Sequence, residues 1–367
     1  MAAASPSSIR AVLEQYVDPN LRQTLAQARA VLAVDPVAGS DRSWRARLRF
    51  GFPTGGYAAP LAEALQGALG AAGIDVALEL ELEAQIVPHA VQRGLTGLAG
   101  IRNVIAVASG KGGVGKSTVA ANLALAWAAQ GARVGLLDAD IYGPSLPIML
   151  GLSGQRPSSA DGKRIQPLRA HGVVGMSIGF LVDVEQPMVW RGPMVTSALN
   201  QLLADTEWGE LDYLVVDMPP GTGDIQLTLA QRVPVAGAVI VTTPQDLALA
   251  DARKGLRMFE KVNVPVLGIV ENMSTHVCSN CGHEEHIFGA GGGARMAQQY
   301  GVELLGELPL DARIRAETDA GRPTVVAEPQ SARAQAYYRM ARRAAGELAR
   351  RERDRSSLFP KIVVEES

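Results

Sequence analysis

Only two of the 367 residues are cysteine, Cys278 and Cys281. Two thiols cannot build a disulfide framework, and so low a number fits a reducing compartment. A surplus of one charge sign is also lacking. The 35 Lys and Arg stand against 37 Asp and Glu, which removes any overall electrostatic drive towards nucleic acid or an anionic membrane. The longest nearly apolar run, Val233 to Val241, falls far short of the roughly 20 residues that span a bilayer. Residues Met1 to Asp18 carry no basic cluster followed by an apolar stretch, so a cytoplasmic protein engaging neither membrane nor nucleic acid is expected. Lysine is scarce, yet Lys111 and Lys116 fall within six positions of one another. That clustering demands a chemical reason.

What remains is ordinary globular composition, 47% hydrophobic and 20% charged, in a chain long enough for one large domain and one small one. Residues 1 to 100 contain no lysine, and Arg93-Gly-Leu-Thr-Gly-Leu-Ala-Gly100 carries three glycines. The expected division is a small α/β domain over 1–95, a linker at 96–100, a large domain over 101–330 and a basic helix with tail over 331–367. In the small domain Trp44, Ala46, Leu48 and Phe50 alternate with Arg45, Arg47 and Arg49, and Leu78, Leu80 and Leu82 alternate with Glu79, Glu81 and Glu83. Both are period-2 patterns of strands with one wet face. If these strands are neighbours, three arginines meet three glutamates. Ala59 to Leu69, with Pro60 in its first turn, reads as a helix between them. From Ile101 onward, runs such as Val104 to Ala108, Val134 to Leu137, Leu214 to Val216, Ala238 to Val241 and Val266 to Val270 alternate with helical stretches such as Val119 to Ala129. Strands apolar on both faces need helices on both faces, so a doubly wound, mostly parallel sheet is expected. After Ser331 a helix with eight arginines and three acids is expected to run to about Arg355, its charged face solvated.

Gly110-Lys-Gly-Gly-Val-Gly-Lys-Ser117 matches the phosphate-loop pattern directly after one of these strands and directly before a helix. Gly110, Gly112, Gly113, Val114 and Gly115 let backbone N–H groups approach phosphate oxygens, and the helix start adds its dipole. Lys116 supplies a point charge to the β- and γ-phosphates, Ser117 a hydroxyl to Mg²⁺, and Thr118 completes the first turn. The same glycines also spell the dinucleotide fingerprint, with Asp138 placed 23 residues beyond Gly115. A dinucleotide loop has no use for Lys-Ser at the helix start, whereas a triphosphate with Mg²⁺ needs both. Leu214-Val-Val-Asp217 ends a buried strand in a carboxylate that can hold Mg²⁺, and Pro-Pro-Gly-Thr-Gly follows as a turn able to sense the γ-phosphate. Asp140, in Asp138-Ala-Asp-Ile-Tyr-Gly-Pro144, is the candidate to orient or deprotonate the attacking water, with Asp138 in support.

Cys278-Ser-Asn-Cys281 is a local C-x-x-C in a chain with no other cysteine. A [4Fe–4S] cluster takes four thiolates, so one chain supplies at most half of them and two chains must share. A zinc site is the competing chemistry, because His276, His283 and His286 surround the pair. Spacing does not choose between them. Trp190 and Arg191 are candidates for an interface, while His89 and His171 have no partner legible in the sequence.

Together these motifs carry a resemblance. Lys111 ahead of the glycines resembles the deviant phosphate loop of the MinD, ParA and nitrogenase-iron-protein class of dimeric ATPases. Asp138-Ala-Asp-Ile-Tyr-Gly-Pro-Ser145, Val189-Trp-Arg-Gly-Pro-Met194, Asp217-Met-Pro-Pro-Gly-Thr-Gly-Asp224 and the cysteine pair are similar to its Mrp/ApbC branch of iron–sulfur cluster carriers. The resemblance implies a homodimeric ATPase in which Lys111 reaches the partner's nucleotide. It further implies a [4Fe–4S] cluster bridged by Cys278 and Cys281 of both chains, and exchange with apo-proteins and cluster scaffold proteins. By the same resemblance Asn272, Pro309 and Asp311 contact the adenine of ATP, and the amino-terminal segment is similar to a domain shared with other assembly factors. Two rivals stay open: a positioning ATPase of the MinD/ParA kind, and a phosphate-loop maturation factor with structural zinc.

Overall fold

A computed structural model describes residues 4–40, 42–159, 162–182 and 192–354. Its centre is an eight-stranded sheet in the order Glu303–Glu307, Val266–Glu271, Gly237–Thr242, Ile101–Ser109, Leu211–Asp217, Val134–Asp138, Val173–Ser177 and Leu168–Ala170. Every neighbouring pair is parallel except the last, where Leu168–Ala170 runs antiparallel along the edge. Leu211–Asp217 is buried at every position, as are Val134–Asp138 and Gly237–Thr242. This is the burial that strands apolar on both faces require, and the expected doubly wound architecture is present. The helix Lys116–Ala129 packs across the sheet and is buried on nearly all sides, so its alanines and leucines need no polar stripe.

The amino-terminal part of the chain pairs Val31–Pro36 antiparallel with Ser43–Phe50, and Ser43–Phe50 parallel with Ala77–Ala84. The helix Ala58–Ala71 makes the crossover between the parallel pair, burying Leu61, Leu65 and Leu69. Register sets Arg45 opposite Glu79, Arg47 opposite Glu81 and Arg49 opposite Glu83. The ion pairs follow the register only in part. Arg45 bridges Glu79 at 2.9 Å and Glu81 at 3.4 Å, and Arg49 bridges Glu83 at 3.2 Å. All are solvent-accessible, so they contribute little to stability.

The carboxyl-terminal helix corrects an expectation. It spans Ala332–Ala349, not 331–355, and buries Tyr337, Met340, Ala341, Ala344, Ala345 and Leu348 against the helix Lys116–Ala129 and the strand Glu303–Glu307. Its arginines are not all solvated either. Arg342 is buried with its guanidinium 5.3 Å from the Tyr57 ring, a cation–π contact across the seam to the amino-terminal part. Trp127 stacks on Tyr213 with ring centroids 4.3 Å apart, and its indole N–H donates to the Ala341 carbonyl at 2.8 Å. Close backbone approach completes the seam. A side chain at Gly346 would place Cβ 2.2 Å from the Asn20 carbonyl oxygen, and one at Gly51 would meet Ala349. The core runs continuously through both parts of the chain.

Among the described residues no helix is long and apolar enough to cross a membrane. His89 is buried with Nδ1 donating to Asn103 Oδ1 at 2.9 Å, and His171 Nε2 donates to the Gly321 carbonyl at 2.8 Å. Both histidines thus have structural partners. Trp190 and Arg191, and the tail beyond 354, lie outside the described residues.

Candidate functional site

The phosphate loop forms where the strand Ile101–Ser109 turns into the helix Lys116–Ala129. Gly113 and Gly115 both have φ +79°, a region that costs other residues about 1 kcal/mol or more. Two of the loop glycines are also demanded by contact. A Cβ at Gly110 would lie 2.1 Å from the Asp251 carbonyl carbon, and one at Gly115 would lie 2.3 Å from Asn272 Nδ2. Ser109 Oγ donates to the Lys111 carbonyl at 2.8 Å, and the Gly221 N–H donates to the Ser109 carbonyl at 3.0 Å. The Pro-Pro-Gly-Thr-Gly turn is therefore tied to the base of the loop.

Loop, helix start and facing turns enclose a cavity of about 230 Å³ whose lining includes Lys111, Gly112, Gly113, Gly115, Lys116, Ser117, Thr118 and Asp140. A larger groove of about 810 Å³ lies along Leu227, Arg253, Arg257 and Met258, away from the glycine loop, so size alone does not locate this chemistry. Lys116 and Asp217 are buried and form an ion pair with each other, and Lys116 Nζ also donates to Ser117 Oγ at 3.2 Å. Cation, hydroxyl and carboxylate thus meet at one point. Lys111 lies half-buried beside them, its Nζ 3.5 Å from Gln245 Oε1.

The two neighbouring aspartates differ in what they do. Asp138 is fully buried and accepts from the N–H groups of Asp140, Ser145 and Leu146 and from Ser177 Oγ, at 3.0–3.1 Å. It organises the turn. Burial, reinforced by Asp217, pushes its pKa up to about 7. Asp140 faces the cavity, and partial burial raises its pKa while Lys116 opposes the shift. A carboxylate drawn towards neutrality beside a phosphate loop suits an acceptor for a water proton.

The adenine candidates separate as well. Asn272 is buried and donates from Nδ2 to the Val114 carbonyl at 2.9 Å, so it sits on the loop itself. Asp311 caps the helix Ala312–Asp319 by accepting from the Arg313 N–H at 2.7 Å, and it pairs with Arg333 at 3.1 Å. Pro309 is half-buried between Leu308 and Leu310.

The cysteines ride on a hairpin. His276–Val277 pairs antiparallel with Glu284–Glu285, the Cys278 N–H donates to the His283 carbonyl at 2.9 Å and the Gly282 N–H to the Cys278 carbonyl at 2.9 Å. Backbone N–H groups of Cys281 and Asn280 lower the Cys278 pKa, favouring the thiolate that binds metal. Two of the histidines are oriented by bonds through Nδ1. His276 Nδ1 donates to the Leu310 carbonyl at 3.0 Å, and His286 Nδ1 donates to the Ser274 carbonyl at 2.9 Å. Among the described residues no group of three or more His, Cys, Asp or Glu is arranged to hold a metal ion. Among the described residues the hairpin presents a pair of sulfurs.

Several cavity residues escaped the sequence reading, namely Ser145, Met149 and Pro220. Ser145 and Pro220 were inside the motifs quoted, but side-chain chemistry gave no reason to prefer them. Gln245, the partner of Lys111, carried no signal at all.

A doubly wound parallel sheet with a glycine loop after its first strand and an aspartate ending the adjacent strand defines a P-loop NTPase. A family model described as ParA, the NUBPL iron-transfer P-loop NTPase, matches residues 100–345, and the chain belongs to this family. The iron–sulfur cluster carrier protein of Escherichia coli (strain K12) is 50% identical over 350 residues, 94% of either chain. The iron–sulfur cluster transfer protein NUBPL of Mus musculus is 50% identical over 306 residues, 82% of this chain and 96% of that one. A nucleotide-binding protein of Archaeoglobus fulgidus, solved in complex with ADP, is 42% identical with a TM-score of 0.56 and covers 63% of this chain and 90% of its own.

Proposed function

We propose that the chain binds and slowly hydrolyses ATP with Mg²⁺ and carries a [4Fe–4S] cluster held between two copies, which it passes to apo-proteins. The observation that carries this reading is the convergence of Lys116, Ser117, Asp217 and Asp140 at the glycine loop together with a pre-formed Cys278–Cys281 hairpin that offers only two sulfurs. Both donor sets fit their groups. The glycine cradle admits a phosphate chain, while half of a four-thiolate site requires a second copy.

In this reading Lys116 exchanges Asp217 for phosphate oxygens, and Ser117 and the freed Asp217 face the metal. Magnesium, when bound, neutralises phosphate charge. Asp140 orients the attacking water and takes up its proton, while Asp138 holds the Asp140 turn through its backbone N–H groups. Lys111, resting on Gln245, supplies its charge to the partner's nucleotide in the homodimer. Most of the rate effect then comes from positioning and charge neutralisation. Asn272 contributes to the base site through its place on the loop, with Pro309 and Asp311 beyond it. Nucleotide favours one arrangement of the dimer and so the exposure of the cluster, a population shift by differential contacts. Delivery to apo-proteins and exchange with scaffold proteins take place in the cytoplasm.

The test is anaerobic reconstitution with iron and sulfide, read by absorbance, Mössbauer spectra and sedimentation. About four irons per two chains are expected, lost in Cys278→Ser with ATP affinity kept within about twofold. One zinc per chain with no cluster, or a cluster-loaded monomer, overturns the proposal.

A further inference from the structure

The phosphate loop and the cysteine hairpin are joined by one short segment. Asn272 holds the loop through the Val114 carbonyl. Immediately before it, Glu271 is fully buried, with Oε1 accepting from Ser274 Oγ at 2.9 Å and Oε2 accepting the Gly293 N–H, at the start of the helix Gly292–Tyr300 that follows the hairpin. Met273 sits between them at φ +58°, a strained conformation for a side chain of its size. Ser274 is fixed to the sheet edge by its N–H to the Leu308 carbonyl, and Leu308 in turn donates to the Glu271 carbonyl, both at 2.9 Å. The Ser274 carbonyl then accepts from His286 Nδ1 at 2.9 Å. Four consecutive residues thus grip the loop at one end and the hairpin at the other.

We propose that Ser274 and His286 are positioning residues that convert occupancy of the phosphate loop into a placement of the Cys278–Cys281 hairpin. The inference rests on the reading above, in which the loop takes nucleotide and the hairpin takes the cluster. The hairpin is exposed from Cys281 to Ile287, and His276 and His286 tie it to the body through side-chain hydrogen bonds. With so few tethers, one hydrogen bond governs a large share of its order. A nucleotide that shifts the loop carbonyl held by Asn272 moves the same backbone segment that holds His286. Linkage then makes the effect reciprocal: whatever orders the hairpin tightens nucleotide binding by the same factor.

The experiment uses the full-length, metal-free protein and measures hydrogen exchange of residues 276–287 with and without Mg²⁺ and a non-hydrolysable ATP analogue. In the wild type the analogue is expected to change exchange at least about fivefold. His286→Ala, on an exposed hairpin and checked by Tm, abolishes that ratio and shifts the analogue's Kd by no more than about the same fivefold, as linkage requires. His286→Asn, whose Nδ2 replaces the Nδ1 donor, restores it. A merely structural histidine would alter basal exchange and leave the nucleotide-dependent ratio intact. The proposal is overturned if His286→Ala keeps the full nucleotide effect, or if the wild type binds the analogue with no change in the hairpin. Failure of the wild type to bind the analogue instead refutes the phosphate-loop reading and removes the coupling with it.

Discussion

Replacing Lys116 by Met separates the folding role of this residue from its ligand role. Lys116 and Asp217 have side chains only 6% and 5% exposed, and Asp138 lies close enough for its charge to interact with Asp217. Removing the cation leaves a buried carboxylate facing another acid, which costs about 3–5 kcal/mol. Spread over 367 residues at roughly 2.1 cal/mol/K per residue, a loss of 4 kcal/mol lowers Tm by about 5 °C. Adding Asp217→Asn removes the orphaned charge, so the double variant should recover much of that stability, with a coupling of about 2 kcal/mol. Nucleotide binding should not recover. A lost charge-assisted contact is worth about 1.5–3 kcal/mol, or roughly 10- to 150-fold in affinity. Differential scanning calorimetry and titration calorimetry on wild type, both single variants and the double variant close the cycle. A double variant no more stable than Lys116→Met, or wild-type affinity in Lys116→Met, would refute the argument.

Two further outcomes follow from the same site. Gly110→Ala should lose about 1–3 kcal/mol or more, because its Cβ meets backbone rather than a flexible side chain, whereas Gly112→Ala has nothing within 4 Å and should keep its Tm while weakening nucleotide binding. Equal Tm values for the two contradict the close packing of the loop on the helix Asp246–Lys261. Asp138 titrates near 7 in the folded chain, above its ordinary 3.8, so the native state holds a proton that the unfolded chain has released. Stability is therefore expected to fall as pH rises from about 4 to about 7, and urea midpoints should show a shallower decline in Asp138→Asn.

Much of this was legible because period and chemistry coincide. Strands such as Leu211–Asp217 read as uninterrupted apolar runs, and the glycine loop names its ligand class through Lys116 and Ser117. The Arg and Glu alternation implied that three arginines meet three glutamates if Ser43–Phe50 and Ala77–Ala84 are neighbours, which they are, but neither the parallel register nor that Arg45 would serve two glutamates, since direction and rotamer reach are not encoded in spacing. The carboxyl-terminal helix ends at Ala349, short of the expected length, and an alanine stripe packs on the core where its many arginines suggest a solvated face. Glu271 was illegible for a different reason. A carboxylate ending a strand looks like a turn residue until the fold supplies Ser274 and Gly293 as donors.

The far end of the phosphate-loop helix is clamped. The Gln130 carbonyl accepts the Gly55 N–H at 3.0 Å, Gln130 Nε2 donates to the Tyr338 carbonyl at 3.3 Å, and the Trp127 indole is fastened one turn earlier. A rod about 21 Å long that is bolted to both the amino-terminal layer and the last helix has no freedom to slide like a piston. Held in this way at its far end, the helix presents its glycine tip to the turns carrying Asp140 and Pro220 from a braced base.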